Sequence, residues 1–170
     1  FKNWYVYPLV YFKLTKKQHV IFETKTGLNI KIRVNSTDLM ALTHVWMIQE
    51  YSNSGFDIND SDVVIDIGAH IGLFALFASQ FCRQGKIFCF EPIKENYELL
   101  VENINSNKIK NIIPFNFAVS KESDSVKIFL NDDYSGHSMF LETNNFITVK
   151  SKSLHDIFSE NNIQECNFLK

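Results

Sequence analysis

Seven residues constrain this chain more than any others: Asp66-Ile67-Gly68-Ala69-His70-Ile71-Gly72 lies between an apolar β-branched run and an apolar helical pattern. The run before it, Val63-Val64-Ile65-Asp66-Ile67, is the pattern of a strand buried on both faces, as parallel sheets require when helices cover each side. After it, Ile71, Phe74, Ala75, Ala78, Phe81 and Cys82 step by three and four, while Leu73, Leu76 and Phe77 fill another side. That spacing predicts a helix over 71–82, buried almost all round. A glycine closing a strand lets the chain turn with no Cβ in front of a ligand, and a helix starting near Ile71 offers unpaired amides to an anion. A carboxylate or phosphate is expected at this bend.

The same alternation continues downstream. Residues 86–90 read as a strand stopped by Glu91-Pro92, since proline cannot continue the ladder. Residues 94–104 follow as a helix, with Tyr97, Leu100, Val101 and Ile104 on one stripe and Glu95, Glu98 and Glu102 facing water. Residues 112–117 are a third buried-type strand. Strand, helix, strand, helix, strand builds a parallel sheet, so the expected fold class is α/β, a Rossmann-like, mostly parallel sheet with flanking helices. Beyond it, 126–130 and 146–149 predict an antiparallel pair, 154–158 a helix, and Cys166-Asn167-Phe168-Leu169 the start of another strand. Upstream, 19–23 and 28–34 flank Thr24-Lys25-Thr26-Gly27 as a β-hairpin with one wet face. Residues 37–51 then read as one helix. Two regions are expected: 1–60, an aromatic segment, hairpin and helix packed on the core, and 61–170, part of a cofactor-binding domain. A chain opening at Phe1 and stopping on a strand start is expected to be a segment of a longer protein, cut before its last strands.

Three cofactor classes compete for such a bend. A P-loop needs G-x-x-x-x-G-K-[ST], but Gly72 is followed by Leu73 and Phe74. A dinucleotide fingerprint needs glycine where His70 stands, because a side chain there crowds the pyrophosphate. What remains is D-x-G-x-x-x-G with Glu91 about 20 residues beyond the turn, placed to accept hydrogen bonds from both ribose hydroxyls. S-adenosylmethionine, with an amino-acid end and a ribose but no pyrophosphate, has that layout.

Composition narrows the partners. Lys+Arg 17 against Asp+Glu 19 leave a net charge of −2, so no overall basic field favours nucleic acid, and none is expected as a partner. Cys82, Cys89 and Cys166 form no C-x-x-C pair and read as reduced thiols of a cytoplasmic protein. No metal site is expected: Asp132-Asp133 reads as loop punctuation. The nine-residue run Trp4 to Phe12 is too short to span a bilayer. It is expected to pack on the core, with peripheral membrane contact as the alternative. Nothing in the sequence addresses the oligomeric state.

Several segments together resemble the FkbM family of S-adenosylmethionine-dependent methyltransferases. Val64-Ile65-Asp66-Ile67-Gly68-Ala69-His70-Ile71-Gly72 looks like that family's glycine motif and Phe90-Glu91-Pro92 like its ribose-binding element. Phe117-Ala118-Val119-Ser120, Ser135-Gly136-His137-Ser138 and Asn167-Phe168-Leu169-Lys170 follow in the family's order, so the likeness covers about residues 19–170. The resemblance implies that Asp66, Gly68, Ala69, His70 and Gly72 line the methionyl end and that Glu91 holds the ribose. Pro92 and Ile93 would pack near the adenine, with Asn116 and Ala118 at its edge. Core packing is the equal alternative for Ile93 and Ala118, and a helix-entrance cap for His70. It further implies O-methylation of a hydroxyl on a sugar, glycan, lipid or other small-molecule metabolite. The single candidate base is His137, with a plain surface-turn histidine as its rival; His19, His44 and His155 read as structural or solvated. The rival functions are a non-catalytic S-adenosylmethionine-binding assembly module and a nucleotide-dependent oxidoreductase.

Overall fold

The computed structural model describes residues 1–51, 57–130 and 145–170. Its central sheet has four strands, β3 (Val63–Ile67), β4 (Lys86–Phe90), β5 (Ile112–Phe115) and β9 (Phe168–Leu169), in the order β5-β4-β3-β9. All three pairings are parallel. The chain steps outward from β3 to β4 and β5, then returns to the opposite flank of β3 at β9. Strand order therefore reverses beside β3, the position where open α/β sheets form a ligand crevice at their carboxyl edge. The expected fold class holds in this geometry.

Helix α3 (Leu73–Ala78) follows β3, and every one of its residues is buried. It lies among aromatic rings: Phe74 stacks 5.5 Å from Phe168, and Phe77 meets Trp46 edge-on at 5.5 Å. Burial on that scale stabilises by roughly 1.5–3 kcal/mol per large side chain. The helix is shorter than the expected 71–82 at both ends: Gly72, at φ +85°, sets its start from the left-handed region, and turns replace it after Ala78. A Cβ at Gly72 would lie 2.5 Å from Leu100 Cδ1 of helix α4 (Lys94–Ser106), so any other residue must both displace that side chain and adopt a left-handed φ.

The amino-terminal elements join the same core. Phe22, Ile30 and Ile32 of the hairpin β1 (His19–Glu23) and β2 (Asn29–Arg33) cluster with Leu76, Leu100 and Ile104. Both outer edges of this hairpin are closed by side chains instead of strands. Asn107 and Asn103 exchange hydrogen bonds with the backbone of Asn29 and Lys31, and Asp38 accepts from the Arg33 amide. On the other edge Asn3 donates to the Ile21 carbonyl and accepts from the Glu23 amide. Edge strands covered in this way cannot template further pairing.

The single helix expected over 37–51 is interrupted. Helix α2 (Asp38–Leu42) widens into a π-helical stretch, Thr43–Ile48. At the junction Thr43 Oγ1 donates to the Leu39 carbonyl at 2.8 Å, competing for an acceptor the regular ladder needs. Helix α1 (Val6–Tyr11) corrects the core-packing expectation for the aromatic run: Val10 is buried, but Trp4, Tyr5, Leu9, Tyr11 and Phe12 are exposed. The remaining strands β6 (Ala118–Ser120), β7 (Asp124–Phe129) and β8 (Phe146–Ser153) form a separate sheet in which β7 and β8 are antiparallel, as expected. Helix α5 (Leu154–Glu160) follows, its Ser153 cap accepting from the Asp156 amide. Among the described residues no helix is long and apolar enough to cross a membrane.

Candidate active-site crevice

The carboxyl ends of β3, β4, β5 and β9 bring Gly68, Glu91, Asn116 and Lys170 to one edge of the sheet. Beyond β3 the backbone bends at Gly68, φ +73°, and nothing lies within 4 Å of where a Cβ would stand. The space in front of the bend is open. The amides of Gly68, Ala69 and His70 are taken up within the chain. Gly68 and Ala69 both donate to the Phe90 carbonyl, at 2.9 and 3.1 Å, because the β3–β4 ladder runs on past the strands. His70 is held in the left-handed region at φ +54°, and its amide donates to Glu91 Oε2 at 2.8 Å. A carboxylate of the chain itself thus holds the His70 amide, while the space in front of Gly68 stays open.

Glu91 is 4% exposed and sits in a cradle of donors. Its Oε1 accepts from the Ile93 amide at 2.9 Å and from Asn96 Nδ2 at 3.4 Å. Burial raises its pKa from the ordinary 4.5, and these donors pull it back in part. Asn116 Nδ2 pins the turn beneath it by donating to the Glu91 and Pro92 carbonyls at 2.8 and 3.2 Å. Ile93 and Ala118 pack together with Ile128 in a small apolar cluster.

Asp66 lies deeper, fully buried, and Oδ1 accepts from Lys170 Nζ at 2.8 Å. Among the described residues its Oδ2 has no partner. Burial raises the Asp66 pKa, and Lys170 opposes that shift. For Lys170, burial pulls down most strongly, but the attraction and hydrogen bond of Asp66, with Tyr51 and Cys89, together outweigh it and the net shift is upward from 10.5. Lys170 has no strong local signal in the sequence; it reaches Asp66 only because β9 pairs with β3.

His70 faces away from Glu91 with its ring. Arg33 grips the buried Asp38 through two parallel hydrogen bonds, and its Nη2 lies 3.0 Å from His70 Nε2. The hairpin is thereby tied to the bend. Beside it lies a cavity of about 270 Å³ bounded by Met40, His44, Tyr51, His70, Phe74 and Lys170, among others. Burial raises the Tyr51 pKa, and His44 Nδ1 is 3.0 Å from Glu50 Oε2. His44 and Tyr51 were not expected near the crevice; His44 comes from the π-helical stretch and Tyr51 from the turn after it. His137 lies outside the described residues.

Gly68, Ala69, His70, Glu91, Pro92, Ile93 and Asn116 are thus gathered around one carboxylate, with Gly72 against Leu100, Asp66 below and Ala118 to one side. A reversed parallel sheet carrying this bend and this acid defines the Rossmann-like α/β class. The chain belongs to the family described as TRM5/TYW2 methyltransferase domain, whose model matches residues 26–159. It is 33% identical over 67 residues to the tRNA(Phe) (4-demethylwyosine(37)-C(7)) aminocarboxypropyltransferase of Methanocaldococcus jannaschii, covering 39% of this chain and 27% of that protein. The chain therefore spans about a quarter of this curated relative. The crystal structure of M. jannaschii TYW2 in complex with AdoMet is similar with a TM-score of 0.49 and 27% identity, over 59% of this chain and 44% of that one. An FkbM methyltransferase from Methylobacillus flagellatus is similar with a TM-score of 0.45 and 14% identity, over 63% and 25% of the two chains.

The family match overturns two expectations. O-methylation of a sugar, lipid or metabolite hydroxyl falls, and its two rival functions fall with it, because the family model that matches is TRM5/TYW2 and not FkbM; the Gly68 bend and the Glu91 element that carried most of the resemblance shape the cofactor crevice and carry no information on the acceptor. The exclusion of nucleic acid falls too. It rested on a net charge that averages unlike parts: the first 22 residues hold four lysines and no acidic residue.

Proposed function

We propose that this chain is the cofactor-binding part of an S-adenosylmethionine-dependent transferase that modifies tRNA. The observation that carries the reading is the hydrogen bond from the His70 amide to Glu91, which places the bend after β3 and the acid after β4 in one crevice. Family membership supports the same cofactor and the RNA acceptor.

In this reading residues 61–170 hold the cofactor and residues 1–60 cover its bend. Among the described residues three internal donors occupy the Glu91 carboxylate, so of the two ribose hydroxyls expected to meet it, one would find the acceptor position left. Gly68 leaves room for the methionyl end, with Asp66, Ala69, His70 and Gly72 shaping its floor. Pro92, Ile93, Asn116 and Ala118 would flank the adenine. S-adenosylmethionine, when bound, supplies an electrophilic carbon attached to a sulfonium. The chain's own contribution is positioning: the cavity at His44 and Tyr51 would seat the acceptor base against that carbon, out of bulk water. The three thiols and an RNA substrate suit a cytoplasmic protein.

The likeness to an aminocarboxypropyltransferase favours one further possibility for the group moved, a 3-amino-3-carboxypropyl chain in place of methyl. Incubation with an unmodified tRNA transcript and cofactor labelled in either the methyl or the carboxypropyl carbons separates the two. Label from one position on the RNA supports the function; label from neither, with the cofactor bound, refutes it.

A further inference from the structure

Helix α1 exposes an aromatic surface that the core does not use. Trp4 is 69%, Tyr11 62% and Phe12 65% exposed. Isolated exposed apolar residues need no explanation, but several within one short segment mark an interaction site. The helix is not loosely attached. The Tyr7 hydroxyl and Thr43 Oγ1 share a hydrogen bond at 2.9 Å, Val10 is buried, and Asn3 clasps β1, so the rings are held on a fixed support.

The charge of the same segment is one-sided. Lys2, Lys13, Lys16 and Lys17 stand among these aromatics, and no carboxylate precedes Glu23. The remainder of the chain is acidic in balance, so the segment is cationic on an anionic protein, and the structure sets Lys13 beside Tyr7 and Tyr11 and Lys17 beside Tyr5 and Leu9. Rings interleaved with lysines suit unpaired nucleotides, whose bases stack while their phosphates meet cations.

The patch also leads somewhere. A groove of about 360 Å³ runs between α1 and α2, with Tyr7, Tyr11 and Lys13 on one wall. It shares Met40 and His44 with the cavity beside the His70 bend. We infer that this aromatic and lysine-bearing surface of α1 binds unpaired RNA and leads the acceptor nucleotide along the α1–α2 groove to the crevice. The inference rests on the proposed RNA function and adds where the substrate is held.

Trp4 is its own reporter, since the second tryptophan, Trp46, has its indole N–H bound to the Leu73 carbonyl in the core. Titrating the protein with an unmodified tRNA transcript and with oligouridine should quench Trp4 emission. Trp4→Ala should abolish the quench and weaken RNA binding by about tenfold. Replacing Lys13, Lys16 and Lys17 by Gln should flatten the salt dependence by about 0.7 in log–log slope for each phosphate no longer neutralised. S-adenosylhomocysteine binding, followed in parallel, should be unchanged in all variants. RNA binding that is equal in wild type and variants, with Trp4 emission unmoved, overturns the inference while leaving the function intact. A Trp4 blue shift with phosphatidylglycerol vesicles and no response to RNA overturns it in favour of a membrane surface. Absence of S-adenosylhomocysteine binding from wild type is instead the failure of the underlying function.

Discussion

The crevice has two unlike flanks. On the β4 side, Glu91 is a buried carboxylate satisfied almost wholly by nearby groups: the His70 and Ile93 amides and the Asn96 side chain all point at it. On the β9 side, Asp66 is a buried carboxylate with one cationic partner 104 positions away and one oxygen unpartnered among the described residues. Glu91 is held by structure that forms whenever β3 and β4 pair. Asp66 depends on a long-range ion pair, so its burial is compensated only when β9 is in place. One flank is preorganised and the other is conditional.

Breaking the pair should produce the largest effect. Lys170→Met leaves Asp66 buried without a counter-charge and should cost about 3 kcal/mol, the low end of the range for broken buried pairs, because Lys170 keeps some exposure to solvent. Urea denaturation measures it. The double change Asp66→Leu with Lys170→Met should recover most of that loss, since an apolar pair replaces two desolvated charges. A double variant as unstable as the single one would show that the ion pair itself carries the stability.

Titration sharpens the contrast. The raised folded pKa of Asp66 means that it favours the folded state fully below the ordinary 3.8, and that this contribution is lost as pH rises through the folded value. Without Lys170 the folded value rises further. The deficit of Lys170→Met should therefore be smallest in acid and grow towards neutrality, as read from denaturation midpoints across that range. In the wild type the Lys170 contribution persists below 10.5 and disappears as pH climbs through its raised folded value.

On the β4 side Glu91→Gln is nearly isosteric but puts an amide NH2 among three donors. It should cost about 1–3 kcal/mol of stability, seen as a lowered thermal midpoint. Asn116→Ala should be milder, about 1 kcal/mol, because the Pro92 carbonyl it leaves is exposed and the Glu91 carbonyl only part-buried.

The same asymmetry explains what the sequence reveals. Strands β3 and β4 are legible to the residue because β-branched runs between turn signals leave little choice, and the Gly68 to Glu91 spacing predicts their meeting. Lys170 carries no such signal, since its role depends on β9 docking beside β3. The asparagine clasps on the β2 edge are side-chain to backbone bonds spanning 72 to 78 positions, which no periodicity reports. The π-helical stretch carries no periodic signal either; Thr43 shares the Leu39 carbonyl at its start, His44 lies within it and Tyr51 just beyond it, and both bound the cavity beside the bend. Net charge fails for a different reason: it sums a lysine-only arm with an acidic remainder, and a partner meets one surface at a time.

Calorimetric titration with S-adenosylhomocysteine reaches the core of this reading directly. Wild-type protein should bind one equivalent, NAD should give no heat of binding, and Glu91→Gln should lose at least tenfold in affinity while remaining folded. No binding by the wild type, or equal affinity in the Glu91 variant, would mean that this buried acid and the bend it holds are not a cofactor site.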